Sequence, residues 1–160
     1  MPTANARKGS ETERMVAKYL REQGFWMADR MLREGRQNDK GDIEGVPFTT
    51  VQVKYVAQNR LQAWVTDTLK QRDNAGTPLC LLVVRTKYRS TEGWDAYMPS
   101  TYFVASYEFA GGGPVPGQPD EAEAWTWMRM DLRFAVLVLK RMTAALGTPS
   151  VPSSPTTTSS

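Results

Sequence analysis

The chain has 160 residues, a mass of 18.0 kDa and a hydrophobic fraction of 41%, which suits one globular domain with one packed core. Histidine is absent, and this excludes Ser-His-Asp and Cys-His hydrolases, histidine-dependent ββα-metal nucleases and Cys2His2 zinc sites. The single cysteine, Cys80, excludes a disulfide framework and any multi-cysteine metal site, and its apolar neighbours in 79–84 predict a buried structural thiol. Any chemistry therefore depends on carboxylates, amides, lysines and hydroxyls, together with a hard divalent metal.

The formal charge of +3 is unevenly distributed along the chain. Residues 1–90 carry 16 Lys and Arg against 10 Asp and Glu, whereas residues 91–160 carry 4 against 7. The N-terminal part is therefore the candidate for contact with a polyanion. No apolar run reaches about 18 residues, and residues 1–10 lack the apolar segment of a signal peptide, so we expect a cytoplasmic protein that meets no membrane.

The first predicted element is a helix, followed by three strands. Ser10 is a favourable N-cap with Glu13 at the capping-box position, and Gly24 fits the end of this helix. The three strands are predicted over 25–32, 41–46 and 48–56, separated by the polar, basic loop 33–40 and by a turn at Pro47. Alternation in the third strand places Gln52 and Lys54 on one side and Val51 and Val53 on the other.

The remaining elements complete an α/β pattern. Asn59 is predicted to cap a second helix that ends at 76–78, and the run 79–84 predicts a central strand buried on both faces. Further predictions are a strand and short helix within 94–110, a Gly/Pro loop at 111–119, a strand at 125–130, Asp131 as a cap and a helix over 132–146. The tail 147–160, rich in Pro, Ser and Thr, is predicted to be disordered.

The order of these elements predicts an α/β fold with a mixed central sheet flanked by helices. We expect one domain over residues 1–146, with its core at about 7–90 and a C-terminal addition at 91–146.

The residues that point to chemistry are Asp42 on the second predicted strand and Gln52-Val53-Lys54 on the third. Residues two apart in a strand share a face, so Gln52 projects with Lys54, and Asp42 with Glu44. All four groups can converge if these strands pair antiparallel. A carboxylate with a second oxygen ligand can hold Mg²⁺, and a nearby lysine can stabilise charge on a phosphate oxygen or orient the attacking water. Metal-assisted hydrolysis of a phosphodiester needs these parts and requires no histidine.

This pattern resembles the PD-(D/E)XK nuclease superfamily, whose motif is an Asp, a gap, and then Glu or Gln, any residue and Lys. The segment Arg7-Lys8-Gly9-Ser10, with Glu13-Arg14 on the first helix and Gly24-Phe25 after it, is similar to the opening of archaeal-type and phage Holliday junction resolvases. The resemblance covers about residues 7–90. It implies a restriction-endonuclease-like fold, a DNA endonuclease acting on four-way junctions, Mg²⁺ as cofactor with Mn²⁺ as a substitute, and a homodimer that makes two symmetric cuts.

The resemblance also implies a role for each matching residue. Glu13 would reach the metal site from the first helix, Asp42 would be the central metal ligand and Lys54 the catalytic lysine. Gln52 stands where the resolvases usually carry Glu; its amide oxygen can bind a metal but carries no charge, which Glu44 or Glu13 could restore. The basic residues expected to contact DNA phosphates are Arg7, Lys8, Arg14, Arg33, Arg36 and Lys40.

Each acidic or polar candidate also has a structural interpretation. Glu13 can be the capping-box partner of the first helix, Asp42 an ordinary turn residue and Glu44 a surface residue. Gln52 and Lys54 can be the solvated face of an amphipathic strand. Two other functions stay open: a nuclease of the same superfamily acting on flaps, ends or duplex sites, and a DNA-binding protein of the same fold with weakened catalysis.

Overall fold

The computed structural model describes residues 3–32, 40–55, 60–108 and 121–147. The elements in chain order are α1 (Ala4–Glu22), β1 (Asp29–Arg30), β2 (Ile43–Glu44), β3 (Thr49–Lys54), α2 (Leu61–Ala75), β4 (Leu79–Val84), β5 (Asp95–Pro99), α3 (Ser100–Glu108), β6 (Trp127–Asp131) and α4 (Leu132–Gly147), with 3₁₀ turns at Thr91–Gly93 and Ala124–Thr126. None of the helices in these ranges is long and apolar enough to cross a membrane.

The described strands form one mixed sheet in the order β1-β2-β3-β4-β5-β6. Neighbouring strands are antiparallel except for β3 and β4, which pair parallel over six residues from Thr49↔Leu79 to Lys54↔Val84. Parallel neighbours need a crossover connection, and α2 supplies it. The predicted α/β class with a mixed central sheet is therefore confirmed.

Strand β4 lies at the centre of the core. Its residues Leu79–Val83 are buried, as predicted for a strand covered on both faces. Cys80 is fully buried within it, and burial raises the pKa of its thiol to about 11. The prediction of a structural thiol is consistent with this position, since the thiolate form is disfavoured there.

Helix α1 begins earlier than predicted. Thr3 is its N-cap, and the Thr3 side chain accepts a hydrogen bond from the N–H of Ala6 at 3.2 Å. Ser10 therefore lies inside the helix, so the predicted capping box of Ser10 and Glu13 is wrong. The physical reason is that Thr3 also caps a helix and that no proline interrupts residues 4–9, where a single glycine, Gly9, is tolerated.

The first strand is much shorter than the predicted 25–32. Gly24 adopts a φ of +107° after the helix, which confirms the predicted helix end. The chain then turns, with the N–H of Ala28 donating to the carbonyl of Phe25 at 2.9 Å, and only Asp29–Arg30 pairs with β2. Phe25 and Ala28 are buried in the core from this turn, whereas Trp26 and Met27 between them are exposed.

The second and third strands lie where they were predicted but are also shorter. β2 covers only Ile43–Glu44 of the predicted 41–46, and β3 covers Thr49–Lys54 of the predicted 48–56. Both α1 and α2 contact β3, so its two faces are covered. Gln52 is buried as a result, and its interpretation as part of a solvated strand face is wrong.

The second half of the chain follows the predictions closely. The N-cap of α2 is Arg60 rather than the predicted Asn59, and the helix ends at Gly76 with a φ of +68°. The side chain of Asp131 accepts a hydrogen bond from the N–H of Phe134 at 2.8 Å, so Asp131 caps α4 as predicted. Strands β5 and β6 extend the same sheet. The predicted loop at 111–119 and the tail beyond residue 147 lie outside the described residues.

Candidate active site

The segments that carry Asp42 and Gln52-Val53-Lys54 lie side by side where β2 begins and β3 ends. These strands are antiparallel, with Ile43 opposite Val51, which is the pairing that a common site for their residues requires. Asp42 is 2% exposed, and its Oδ2 accepts a hydrogen bond from the N–H of Val53 at 2.8 Å. The carboxylate therefore lies against the backbone of Gln52-Val53-Lys54.

The backbone at Asp42 has the pattern of a β-bulge. The N–H of Asp42 donates to the carbonyl of Val51 at 2.8 Å, although Ile43 is the residue opposite Val51. Two residues of one strand thus face one residue of the other. The preceding Gly41 has a φ of +108°, and a Cβ there would lie 3.0 Å from the Val51 carbonyl oxygen, so the bulge requires glycine.

The bulge separates the surroundings of the two acids that simple alternation placed on one face. Asp42 is buried against β3, whereas Glu44 is exposed and lies opposite Asp29 of β1. Glu44 is therefore not part of the contact between Asp42 and β3. Of the four side chains expected to converge, Gln52 and Lys54 contact each other, Asp42 binds the backbone between them, and Glu44 lies apart.

The Gln52 amide is held between β3 and α2. The hydroxyl of Thr68 donates to the carbonyl of Trp64 at 2.7 Å and so accepts from the Gln52 amide nitrogen, with which it is in contact. The same nitrogen lies 3.2 Å from the Trp64 carbonyl. The amide oxygen then accepts from Lys54 Nζ at 3.1 Å and from Gln71 Nε2 at 3.0 Å. The opposite orientation would set N–H groups against two donors, so the hydrogen-bond network assigns this one.

These contacts use the full hydrogen-bonding capacity of the Gln52 amide. An amide has two N–H donors and two acceptor lone pairs, and each has a protein partner here. To act as a metal ligand, the oxygen of Gln52 would have to release Lys54 or Gln71. The structure thus brings Gln52 and Lys54 together as predicted, but directly to each other.

Glu13 has a partner that the sequence did not suggest. Its Oε2 accepts a hydrogen bond from Arg30 Nε at 2.5 Å, and Arg30 Nη2 donates to Ser10 Oγ at 2.9 Å. The Glu13 side chain is 14% exposed and that of Arg30 28% exposed. No spacing rule could identify this pair, because it depends on β1 packing beside α1.

A second group of residues that sequence reasoning missed adjoins Lys54. Tyr55 follows Lys54, and its ring lies under two cations, with Lys8 Nζ 5.7 Å and the Arg85 guanidinium carbon 5.4 Å from the ring centroid. We call Lys8, Tyr55 and Arg85 the Tyr55 cluster. The N–H of Arg85 donates to the carbonyl of Lys54 at 2.9 Å, so the cluster is fixed beside the end of β3.

Arg85 is held firmly within this cluster. Its guanidinium also lies 5.3 Å from the ring of Trp94, and Nη1 donates to Thr12 Oγ1 at 3.1 Å. Nη1 also lies 4.0 Å from the exposed carboxylate of Glu11, which a phosphate would have to replace. A guanidinium held by two aromatic rings and a hydroxyl is preorganised for such an anion.

The other basic residues predicted to contact DNA divide into two groups. Arg7, Lys8, Arg14 and Lys40 are exposed, and Lys40 directly precedes the glycine of the bulge. The predicted contacts at Arg33 and Arg36 lie outside the described residues. The exposed cations leave their nitrogens accessible to a phosphate backbone.

The acidic residues offer a limited fit to a divalent cation. Within the described ranges, no three Asp, Glu or Cys side chains form a group that could hold a metal. Mg²⁺ commonly uses one or two protein carboxylates and leaves its other positions to water and substrate phosphate. Asp42, whose carboxylate binds the N–H of Val53, fits that minimal role. Glu13 fits it only if its bond to Arg30 opens.

Comparison of this chain with family models, with curated proteins and with solved structures finds no match.

Proposed function

We propose that this protein is a cytoplasmic, Mg²⁺-dependent DNA endonuclease of restriction-endonuclease-like fold that cuts four-way junctions as a homodimeric Holliday junction resolvase. The observation that carries the proposal is that the Asp42 carboxylate binds the backbone N–H of Val53, between Gln52 and Lys54, whose side chains contact each other at the end of β3. The element order also supports it, since a helix, three antiparallel strands, a crossover helix and a parallel strand form the part of the chain covered by the resemblance.

In this proposal Asp42 would hold the divalent ion, and Mn²⁺ could replace Mg²⁺. The bound ion would supply a Lewis acid that polarises the scissile phosphate. The chain's own contribution is the Lys54 ammonium, which directs one N–H to the Gln52 oxygen and has two further N–H groups for phosphate oxygens. Those donors would stabilise the negative charge that develops while water attacks phosphorus and the P–O bond breaks.

Binding of the DNA backbone is assigned to the basic surface around α1 and the Tyr55 cluster. The preorganised Arg85 and the exposed Lys8 would each contact a phosphate close to Lys54. Arg7, Arg14 and Lys40 would extend this surface. Such contacts fix the position of the duplex arms without reading their sequence.

A second candidate function is DNA binding with weakened or no catalysis. The saturated amide of Gln52 favours it, because that side chain offers no free oxygen lone pair to a metal. The ion pair of Glu13 with Arg30 also favours it, since this carboxylate is already neutralised.

One cleavage assay separates these functions. Purified protein is incubated with Mg²⁺ or Mn²⁺ and with a synthetic four-way junction, a flap or a plain duplex of the same arm sequences. We expect paired cuts in the junction and far slower cleavage of the other two. Preferred cleavage of the flap or duplex would indicate another nuclease of the same type, whereas tight binding without cleavage would indicate the second candidate.

Two variants control for contaminating nucleases. Asp42→Asn removes the proposed metal ligand, and Asp67→Asn removes an exposed acid on α2. Loss of cleavage in the first and full cleavage in the second is the expected result. Equal cleavage by both variants would contradict the proposed active site.

A further inference from the structure

The surroundings of position 52 explain why this chain has glutamine there. Helix α2 presents two acceptors to this side chain, the carbonyl of Trp64 and the Thr68 hydroxyl oxygen, whose proton is already donated to that carbonyl. The amide nitrogen of glutamine satisfies both with its two N–H groups. A carboxylate would instead place oxygen against oxygen at a site with almost no solvent exposure, which is unfavourable.

We infer that Gln52 is a positioning residue that couples α2 to Lys54. Thr68 and the Trp64 carbonyl fix the amide nitrogen, and the amide oxygen consequently faces Lys54 Nζ and holds the ammonium at the end of β3. This role differs from that of a metal ligand, and its importance for cleavage rests on the proposed function. The placement of Lys54 itself does not depend on that function.

Burial makes the coupling strong. Gln52 is 2% exposed, Thr68 is fully buried and Gln71 is also buried, so water does not compete for the bonds among these three, while Lys54 is partly exposed. A 180° rotation of the amide would set its nitrogen against the donors of Lys54 and Gln71 at the same time. Only one orientation therefore satisfies all the partners. A lysine held in this way enters a reaction with fewer rotamers to lose.

The test measures the reactivity of Lys54 in the full-length protein without DNA or metal. Trace acetylation with acetic anhydride, followed by mass spectrometry of the peptide that contains Lys54, reports how firmly this amine is held. Thr68→Val removes the hydroxyl and should raise the acetylation rate of Lys54 about fivefold, the factor equivalent to one net hydrogen bond of about 1 kcal/mol. Thr68→Ser keeps the hydroxyl and should restore the wild-type rate.

The chain provides a matched control on the same helix. Thr66 donates its hydroxyl proton to the carbonyl four residues earlier, that of Gln62, just as Thr68 does to Trp64, but Thr66 is exposed. Thr66→Val should leave Lys54 acetylation unchanged. Equal rates in Thr66→Val and Thr68→Val would overturn the inference.

A second variant covers the case in which Thr68→Val does not fold, as judged by circular dichroism. Gln52→Met has a similar volume and removes the oxygen that contacts Lys54, so it should also raise the acetylation rate of Lys54. A wild-type rate in this variant would show that Gln52 does not hold Lys54.

Cleavage kinetics test the link to function separately. If the wild-type protein cuts DNA, Thr68→Val should lower kcat while KM for DNA stays constant, and Thr68→Ser should recover kcat. A wild-type kcat in Thr68→Val together with faster acetylation would refute the catalytic role of the coupling. A wild-type protein that cuts no DNA would refute the proposed function, while the acetylation result would still decide the placement of Lys54.

Discussion

The two helices that contact β3 do so with opposite chemistry. Beside α1 the polar contacts are charged and partly exposed, as in the ion pairs of Glu13 with Arg30 and of Glu11 with Arg85. Beside α2 the contacts of Gln52 with Thr68 and Gln71 are uncharged and buried. Charged groups near water can exchange partners at modest cost, whereas a buried amide network is costly to break. We therefore expect α1 to supply the adaptable contacts to DNA and α2 to supply the fixed support.

The largest effect is expected for Asp42, the proposed metal ligand beside β3. Asp42→Asn should reduce cleavage by at least about 10³-fold, because loss of a metal ligand removes several kcal/mol of transition-state stabilisation. Asn keeps an oxygen that can accept from the N–H of Val53, so the fold should survive. DNA binding, measured by fluorescence anisotropy, should be unchanged or tighter since a negative charge is lost. Cleavage within threefold of wild type, a change of about 0.6 kcal/mol, would place the chemistry elsewhere.

The second prediction concerns the pH dependence of stability that the buried thiol of Cys80 in β4 should cause. Burial raises the pKa of Cys80 from 9.0 to about 11 in the folded state. The folded protein therefore keeps this proton while the unfolded chain loses it, so the stabilisation is present below about pH 9 and is lost as pH rises toward 11. The loss should be about 2–3 kcal/mol. Urea unfolding from pH 8 to 11 should show a shallower decline in Cys80→Ala than in wild type. Parallel declines would show that the thiol is not responsible.

The third prediction places a charge in the α2 network. Gln52→Glu should lower the free energy of unfolding by about 1–3 kcal/mol at pH 7, because a buried carboxylate oxygen faces the Trp64 carbonyl without a donor between them. Gln23→Glu, at the C-terminal end of α1, is the control and should lower stability by less than about 1 kcal/mol, the scale of an unfavourable charge at a helix C-terminus. Equal unfolding midpoints for both variants would remove the contrast between the two helices.

The fourth prediction replaces glutamate by glutamine at position 13 of α1, the reverse of the change at position 52. Glu13→Gln keeps an oxygen acceptor for Arg30 but removes the charge. Because both side chains retain some solvent exposure, the stability should fall by about 1 kcal/mol or less. Thermal and urea unfolding measure this difference. A loss larger than that of Gln52→Glu would reverse the assignment of adaptable and fixed contacts.

The smallest effect concerns the surface at the Tyr55 cluster. Lys8→Gln should reduce the slope of log K against log salt for duplex DNA by about 0.9, the value for one phosphate contact. Lys70→Gln, which changes an exposed lysine of α2, should leave the slope unchanged. Binding isotherms at four or five salt concentrations provide the slopes. Identical slopes for Lys8→Gln and wild type would exclude Lys8 from the DNA interface.

The elements that could be predicted from the sequence are those specified by local patterns. The continuous apolar run of β4, the glycine after α2 and the Asp131 cap of α4 each depend on residues close in sequence. The predicted start of α1 was wrong because both Thr3 and Ser10 can cap a helix, and local sequence does not discriminate between them.

The sequence pattern identified the candidate site residues, but it did not predict which side chains they contact. Spacing alone placed Asp42, Gln52 and Lys54 on paired strands. The bulge at Asp42 shifts the side-chain alternation, so the expected place of Glu44 beside it was wrong. The bond between Gln52 and Thr68 crosses from a strand to a helix, and such pairings depend on how the elements pack.

The contact between Gln52 and Thr68 also constrains how this sequence can evolve. Glutamate at 52 would compete with the Trp64 carbonyl for the Thr68 hydroxyl proton, so α2 would need a further donor there, and a donor that cannot also accept is unfavourable at 68 while 52 is still glutamine. The two positions should therefore show epistasis, with each single substitution less stable than the double one. Related chains that carry glutamate at the position of Gln52 should differ at the position of Thr68 as well, which makes the pair a marker of the lineage in which the exchange took place.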